Sequence, residues 1–158
     1  MQTLASILAG HPFFKGLDHR YMELITGCAS NVRYNAGEYI FREGEDASRF
    51  YILREGKVAL ETAAPGQEPI IIETVEAGEV LGWSWLFPPY RWHFSARVVE
   101  PIRAITLDGV CLRTKGEEDH DLGYELVKRA AQVMMERLQA TRLQLLDVYK
   151  APRTRGGL

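Results

Sequence analysis

The chain has 158 residues, of which 46% are hydrophobic and 25% charged, and its formal net charge is -2. That composition argues against wholesale disorder, and the slight acidic balance argues against a dominant nucleic-acid surface, which needs a basic excess. The length fits one domain, residues 1–158, large enough to bury a core. The N-terminus "MQTLASILAGHPFF" has no basic region ahead of its short apolar stretch, and no run approaches a membrane span. The expectation is a cytoplasmic protein without membrane association. Its two cysteines, Cys28 and Cys111, form no closely spaced pair. They read as free buried thiols, with a single bridge between them left open, and not as a disulfide scaffold, zinc site or iron–sulfur site.

Residues 1–31 read as short helices. Leu4, Ile7 and Leu8 share one face, Pro12 interrupts, and Asp18 is placed to cap a helix carrying Met22, Leu24, Ile25 and Cys28. Residues 32–108 have the texture of an all-β unit. Short runs ("EYIF", "RFYIL", "KVALET", "PIIIETV", "PIRAITL") alternate with the turn signals "NAGE", "REGEDA", "REGK", "APGQ", "EAGE" and "LDG". This spacing predicts a sandwich, jelly roll or barrel. Residues 119–150 read as one long helix. Val127, Ala131, Met134, Leu138, Thr141, Leu145 and Val148 recur at alternating spacings of 4 and 3, a heptad seam suited to a second copy of the chain. A second stripe runs through Leu122, Leu126, Ala130 and Val133, placed to pack on the chain's own domain. The closing "KAPRTRGGL" reads as a frayed basic tail.

Every tryptophan falls within "GEVLGWSWLFPPYRWHFSARV", residues 78–98, and Trp83, Trp85, Phe87, Tyr90, Trp92 and Phe94 crowd one short span. Core packing, an aromatic-lined ligand pocket and a partner surface are all consistent with it. The histidines, His11, His19, His93 and His120, are scattered. No paired metal ligands, phosphate loop or nucleophile elbow appears, so no catalytic or metal-binding residue is nominated and an enzyme is not expected.

Residues 35–60, "NAGEYIFREGEDASRFYILREGKVAL", resemble the opening signature of the cyclic-nucleotide-binding domain family. The matching positions are Gly37-Glu38, Ile40-Phe41, Glu43-Gly44, Phe50-Tyr51-Ile52 and Gly56. The resemblance runs from about Phe13 to Tyr149 and is to regulators of the catabolite-activator and Fnr type. It implies a mainly β fold with flanking helices: a double-stranded β-helix, or jelly-roll-like β-roll, followed by a long C-terminal helix. It also implies a phosphate cassette, normally Phe-Gly-Glu, a short helix, then Arg-Ser-Ala. In that cassette the arginine and helix N–H groups hold a cyclic phosphate, and the glutamate holds the ribose.

This chain departs from the pattern at both charged positions. Leu81-Gly82-Trp83 places Trp83 where the acid would be, and Phe94-Ser95-Ala96-Arg97 places Phe94 where the arginine would be. Each lost charge-assisted contact costs about 1.5–3 kcal/mol, which weakens the case for cyclic AMP or cyclic GMP. The ligand-contacting candidates implied by the resemblance are Gly82, Trp83, Ser84, Arg91, Phe94, Ser95, Ala96 and Arg97, with Arg91 or Arg97 as substitute cations and Thr141 as a base contact. Only nine residues follow Tyr149, too few for the family's helix-turn-helix, so direct DNA binding is not expected. The implied function is a stand-alone regulatory or sensor module that binds a small ligand and signals as a homodimer to an unidentified protein partner. The alternative is an interaction scaffold whose pocket has been filled.

Overall fold

The computed structural model describes residues 3–156. Two short helices, α1 (Leu4–Gly10) and α2 (His19–Thr26), precede six strands: β1 (Ala29–Tyr34), β2 (Tyr39–Phe41), β3 (Arg49–Thr62), β4 (Ile70–Glu76), β5 (Val80–Leu81) and β6 (Ser95–Asp108). A 3-10 turn, Ser84–Leu86, lies between β5 and β6, and two helices follow, α3 (Gly109–Glu118) and α4 (His120–Gly156). The strands run β1-β6-β3-β4, with β2 also on β6 and β5 also on β3, and every pairing is antiparallel. This is the mainly β roll with flanking helices and a long C-terminal helix.

Both central strands are buried on both faces, and their period-two alternation feeds two cores. Phe50, Ile52, Ile105 and Leu107 join Phe14, Ile25, Trp85 and Leu122 in a layer between the roll and the helices. Tyr51, Leu53, Val58, Leu60, Val98 and Ala104 point the other way, into the roll, with Phe41, Leu81 and Trp92. Fully burying a side chain of this size contributes about 1.5–3 kcal/mol.

The strands are longer than the sequence pattern suggests. "RFYIL" and "KVALET" are one strand, because "REGK" forms a bulge and not a turn. Gly56 takes φ +91° there, and a Cβ on it would lie 2.3 Å from the Pro101 carbonyl oxygen. Pro101 is tolerated mid-strand because it sits at this irregularity, where the ladder is already broken.

The N-cap is as read, with Asp18 accepting from the Arg20 N–H at 2.9 Å. Leu24, however, is 36% exposed, since it lies two residues from Met22 and therefore on the opposite side of α2. Residues 109–118, left unassigned by the periodicity, form α3, whose cap is the Asp108 carboxylate accepting from the Cys111 N–H.

The cysteines are not free. Cys28 and Cys111 form a disulfide, their Cα atoms 5.8 Å apart. The fold joins them because Ala29 pairs with Leu107, which brings the residue before β1 alongside the first turn of α3.

Helix α4 extends to Gly156, past the expected end near Lys150; of the expected tail, residues 157 and 158 lie outside the described residues. Leu122, Leu126 and Ala130 are buried against the domain and Val133 is half-buried. The seam residues Val127, Leu138, Leu145 and Val148 are 47–67% exposed, as are Ala131 and Thr141 in kind, while Met134 is intermediate. Gly116 and Gly123 let α3 and α4 cross backbone to backbone, for a Cβ on Gly123 would stand 2.7 Å from the Gly116 carbonyl oxygen. No helix among the described residues is long and apolar enough to cross a membrane.

Candidate functional site

The segment between β5 and β6 turns on Gly82, whose φ of +97° suits glycine alone. A Cβ there would lie 2.7 Å from the six-membered ring of Trp92. That ring is 4% exposed and stacks on Phe41, centroids 3.6 Å apart and planes 9° apart. Phe94, half-buried, packs against the same group, its ring 5.8 Å from Phe41. The roll interior at the cassette is therefore filled by Phe41, Trp92 and Phe94. Trp83 goes elsewhere: it packs against Phe50 (4.8 Å) and Phe13 (5.4 Å), in the layer between roll and helices. Its indole N–H is buried without a partner, as is that of Trp85.

The loop after the 3-10 turn contains a cis Pro88–Pro89 bond and places Tyr90 at φ 57°, uncommon for a residue with a side chain. That conformation is held by its surroundings. The Ala47 N–H donates to the Tyr90 carbonyl at 2.7 Å, the Trp92 N–H donates to the Glu45 carbonyl at 3.0 Å, and the Gly44 N–H donates to the Trp92 carbonyl. Arg113 of α3 lies 3.9 Å over the Tyr90 ring and donates to the Trp85 carbonyl.

Both candidate arginines have carboxylate partners. Arg97 Nε donates to Glu61 at 3.1 Å; the Glu61 side chain is 7% exposed and also accepts from the Tyr39 hydroxyl. The two sit diagonally on one face, Arg97 opposite Ala59 and Glu61 opposite Ser95. Arg91 points outward, paired with Asp46 at 3.1 Å and bonded to the Gly44 carbonyl. The Ser95 hydroxyl accepts from the Glu43 N–H at 2.9 Å, and Ala96 is fully buried. The Ser84 hydroxyl lies 3.3 Å from His93 Nδ1. Thr141 donates to the Arg137 carbonyl along its own helix and is exposed. Gly82, Ser95, Ala96, Phe94 and Arg97 thus gather around the roll, whereas Trp83, Arg91 and Thr141 are turned to other surroundings.

Three participants escape the sequence pattern. Trp92 is the ring over Gly82, Glu61 is the counter-ion of Arg97, and Arg113 is the tie from cassette to α3. Glu61 had one legible sign: it is a carboxylate closing the otherwise apolar run "VALE".

Two clefts flank α4. One, of about 720 Å³, lies between the His11–Lys15 segment, Gly78–Val80 and the Lys128–Ala140 stretch of α4. His11 closes its rim: Nδ1 accepts from the Phe13 N–H, so Nε2 carries the proton given to the Gly78 carbonyl. Burial lowers the pKa of that imidazole, partly offset by its bond to Gly78. The other, of about 500 Å³, is lined by Trp85, Tyr90, Arg113 and facing residues of α3 and α4. Neither is lined by Gly82, Phe94, Ser95 or Arg97. Among the described residues no group of three His, Cys, Asp or Glu could hold a metal ion.

Comparison with known proteins places this geometry. Residues 31–118 match the family model described as the cyclic nucleotide-binding domain. The "CRP-like cAMP-activated global transcriptional regulator" of Mycobacterium tuberculosis is 26% identical over 142 residues, 90% of this chain and 62% of that regulator's length. Human "cGMP-dependent protein kinase 2" is 38% identical over 69 residues, 43% of this chain and 9% of the kinase. In structure, a putative cyclic nucleotide-binding protein from Geobacter metallireducens GS-15 superimposes with a TM-score of 0.77 at 27% identity, covering 87% of this chain and 99% of that one. With the roll, the cassette position and a family match over more than half its length, the chain belongs to the cyclic nucleotide-binding domain family.

Proposed function

We propose that the chain, 1–158, works as one non-enzymatic regulatory module whose roll is closed by its own aromatic side chains and whose output is α4. The observation that carries this is Trp92, which lies against Gly82 and stacks on Phe41 in the roll core. A cyclic phosphate needs a free cation there, and Arg97 is held by Glu61 while Arg91 is held by Asp46. The relatives' names speak of regulation by cyclic nucleotides, and this chain keeps their fold while its cassette charges are internally neutralised. On this reading α4 pairs with α4 of a second copy along Val127, Ala131, Met134, Leu138, Thr141, Leu145 and Val148, and the paired helices present a surface to a partner protein.

Calorimetry with cyclic AMP and cyclic GMP tests the closed cassette. No heat at millimolar nucleotide is the expected result. Micromolar binding that Arg97→Ala abolishes would overturn it and restore a ligand-gated module, in which Trp92 swings away and Arg97 leaves Glu61.

A further inference from the structure

The Cys28–Cys111 bridge is tied to α3, a helix that touches both the cassette and α4. Cys28 lies between α2 and β1, its carbonyl accepting from the Asp108 N–H, and Cys111 lies in the first turn of α3. Helix α3 meets the 3-10 turn closely. A Cβ on Gly109 would lie 2.7 Å from Trp85 Cβ, and Arg113 binds the Trp85 carbonyl and stacks on Tyr90. At its other end Gly116 lies against Gly123 of α4. Any shift of the cassette that reaches α4 along this route passes through α3, and the bridge fastens α3 to the N-terminal helical layer.

We propose that Cys28–Cys111 is a reversible thiol–disulfide lock on α3, which holds cassette and α4 in one relative position while oxidised and releases them when reduced. Cys28 is 8% exposed and Cys111 is more open, so Cys111 Sγ is the point of attack. The thiolate of a dithiol reductant bonds to Cys111 Sγ, the S–S bond breaks, and its electron pair leaves on Cys28 Sγ, which takes a proton. The second thiol of the reductant then displaces Cys111 as a thiol, and the reductant departs as its own disulfide. Two electrons and two protons pass to the protein. The Asp108 cap and the apolar contacts of Leu112 remain in the reduced chain, so α3 loosens without unfolding.

The consequence for signalling rests on α4 being the output, but the lock itself is testable without nucleotide or partner. The full chain is compared after air oxidation and after native treatment with dithiothreitol. Maleimide labelling should go from none to two per chain. Hydrogen exchange of residues 109–118 and 84–92 should speed up about tenfold on reduction, with the interior of β3 unchanged. The double variant C28A/C111A should exchange like the reduced chain with or without dithiothreitol. Two reactive thiols in the air-oxidised chain, a bridge that opens only in denaturant, or exchange that is unchanged in α3 or raised equally in β3 would each overturn the proposal. A failure of the calorimetric or dimer tests would leave these readings where they stand.

Discussion

Trp92 and Phe41 lie face to face in the roll, 3.6 Å between centroids, and the edge of the tryptophan closes over the bare Cα of Gly82. Trp92→Ala removes a large ring from a close-packed interior, and such truncations cost about 3–5 kcal/mol. Urea unfolding should show that loss as a lower midpoint with an unchanged slope. Gly82→Ala should be destabilising too, by about 1–3 kcal/mol, since it combines a left-handed φ with a clash. A Gly82→Ala chain as stable as the parent would mean that the ring does not sit there.

Arg97 and Glu61 should behave as a pair. Arg97→Ala leaves a buried carboxylate with only the Tyr39 hydroxyl, at a cost of about 1.5–3 kcal/mol. The double variant E61Q/R97Q should recover part of that, because both charges leave together. A double-mutant cycle on urea midpoints checks it, and strict additivity would contradict the coupling.

His11 predicts a pH dependence. Its folded-state pKa lies below 6.5, so from about pH 6.5 downward the unfolded chain binds the proton first. Stability contributed by the neutral ring is complete above that value and declines as pH falls toward the folded-state pKa. The melting temperature should therefore drop between pH 7.5 and 5.5, and His11→Gln should flatten that slope. A slope equal in both chains would assign it elsewhere.

The exposed stripe of α4 predicts self-association. Sedimentation of the parent chain at high micromolar concentration should give a dimer, and L138D/L145D should give a monomer with the roll's thermal unfolding little changed, because both residues are more than half exposed. A monomeric parent would remove the seam from the reading.

Much of this fold is legible in the sequence because glycine marks its corners. Gly37 and Gly44 sit at positive φ where the turn signals fall, and the double apolar striping of α4 follows helical period. What was hidden depended on pairing across distance. "REGK" and "LDG" look like turns, but one is a bulge fitted to Pro101 and the other starts a helix capped by Asp108. Among closely spaced tryptophans, spacing alone cannot say which enters the roll. Trp92 enters the roll against Phe41, while Trp83 packs against Phe13 and Phe50 in the layer beneath the helices. The bridge between Cys28 and Cys111 spans 83 residues, and only the β1–β6 register brings its ends together.

The bare contact of Gly116 with Gly123 has a mechanical meaning. Where two helices touch through main chain, no rotamer can act as a cushion, so the angle between them is inherited from the backbone and passes on rotation with little slack. A single methyl group at that fulcrum would act as a wedge, splaying the arm while the roll behind it stays folded.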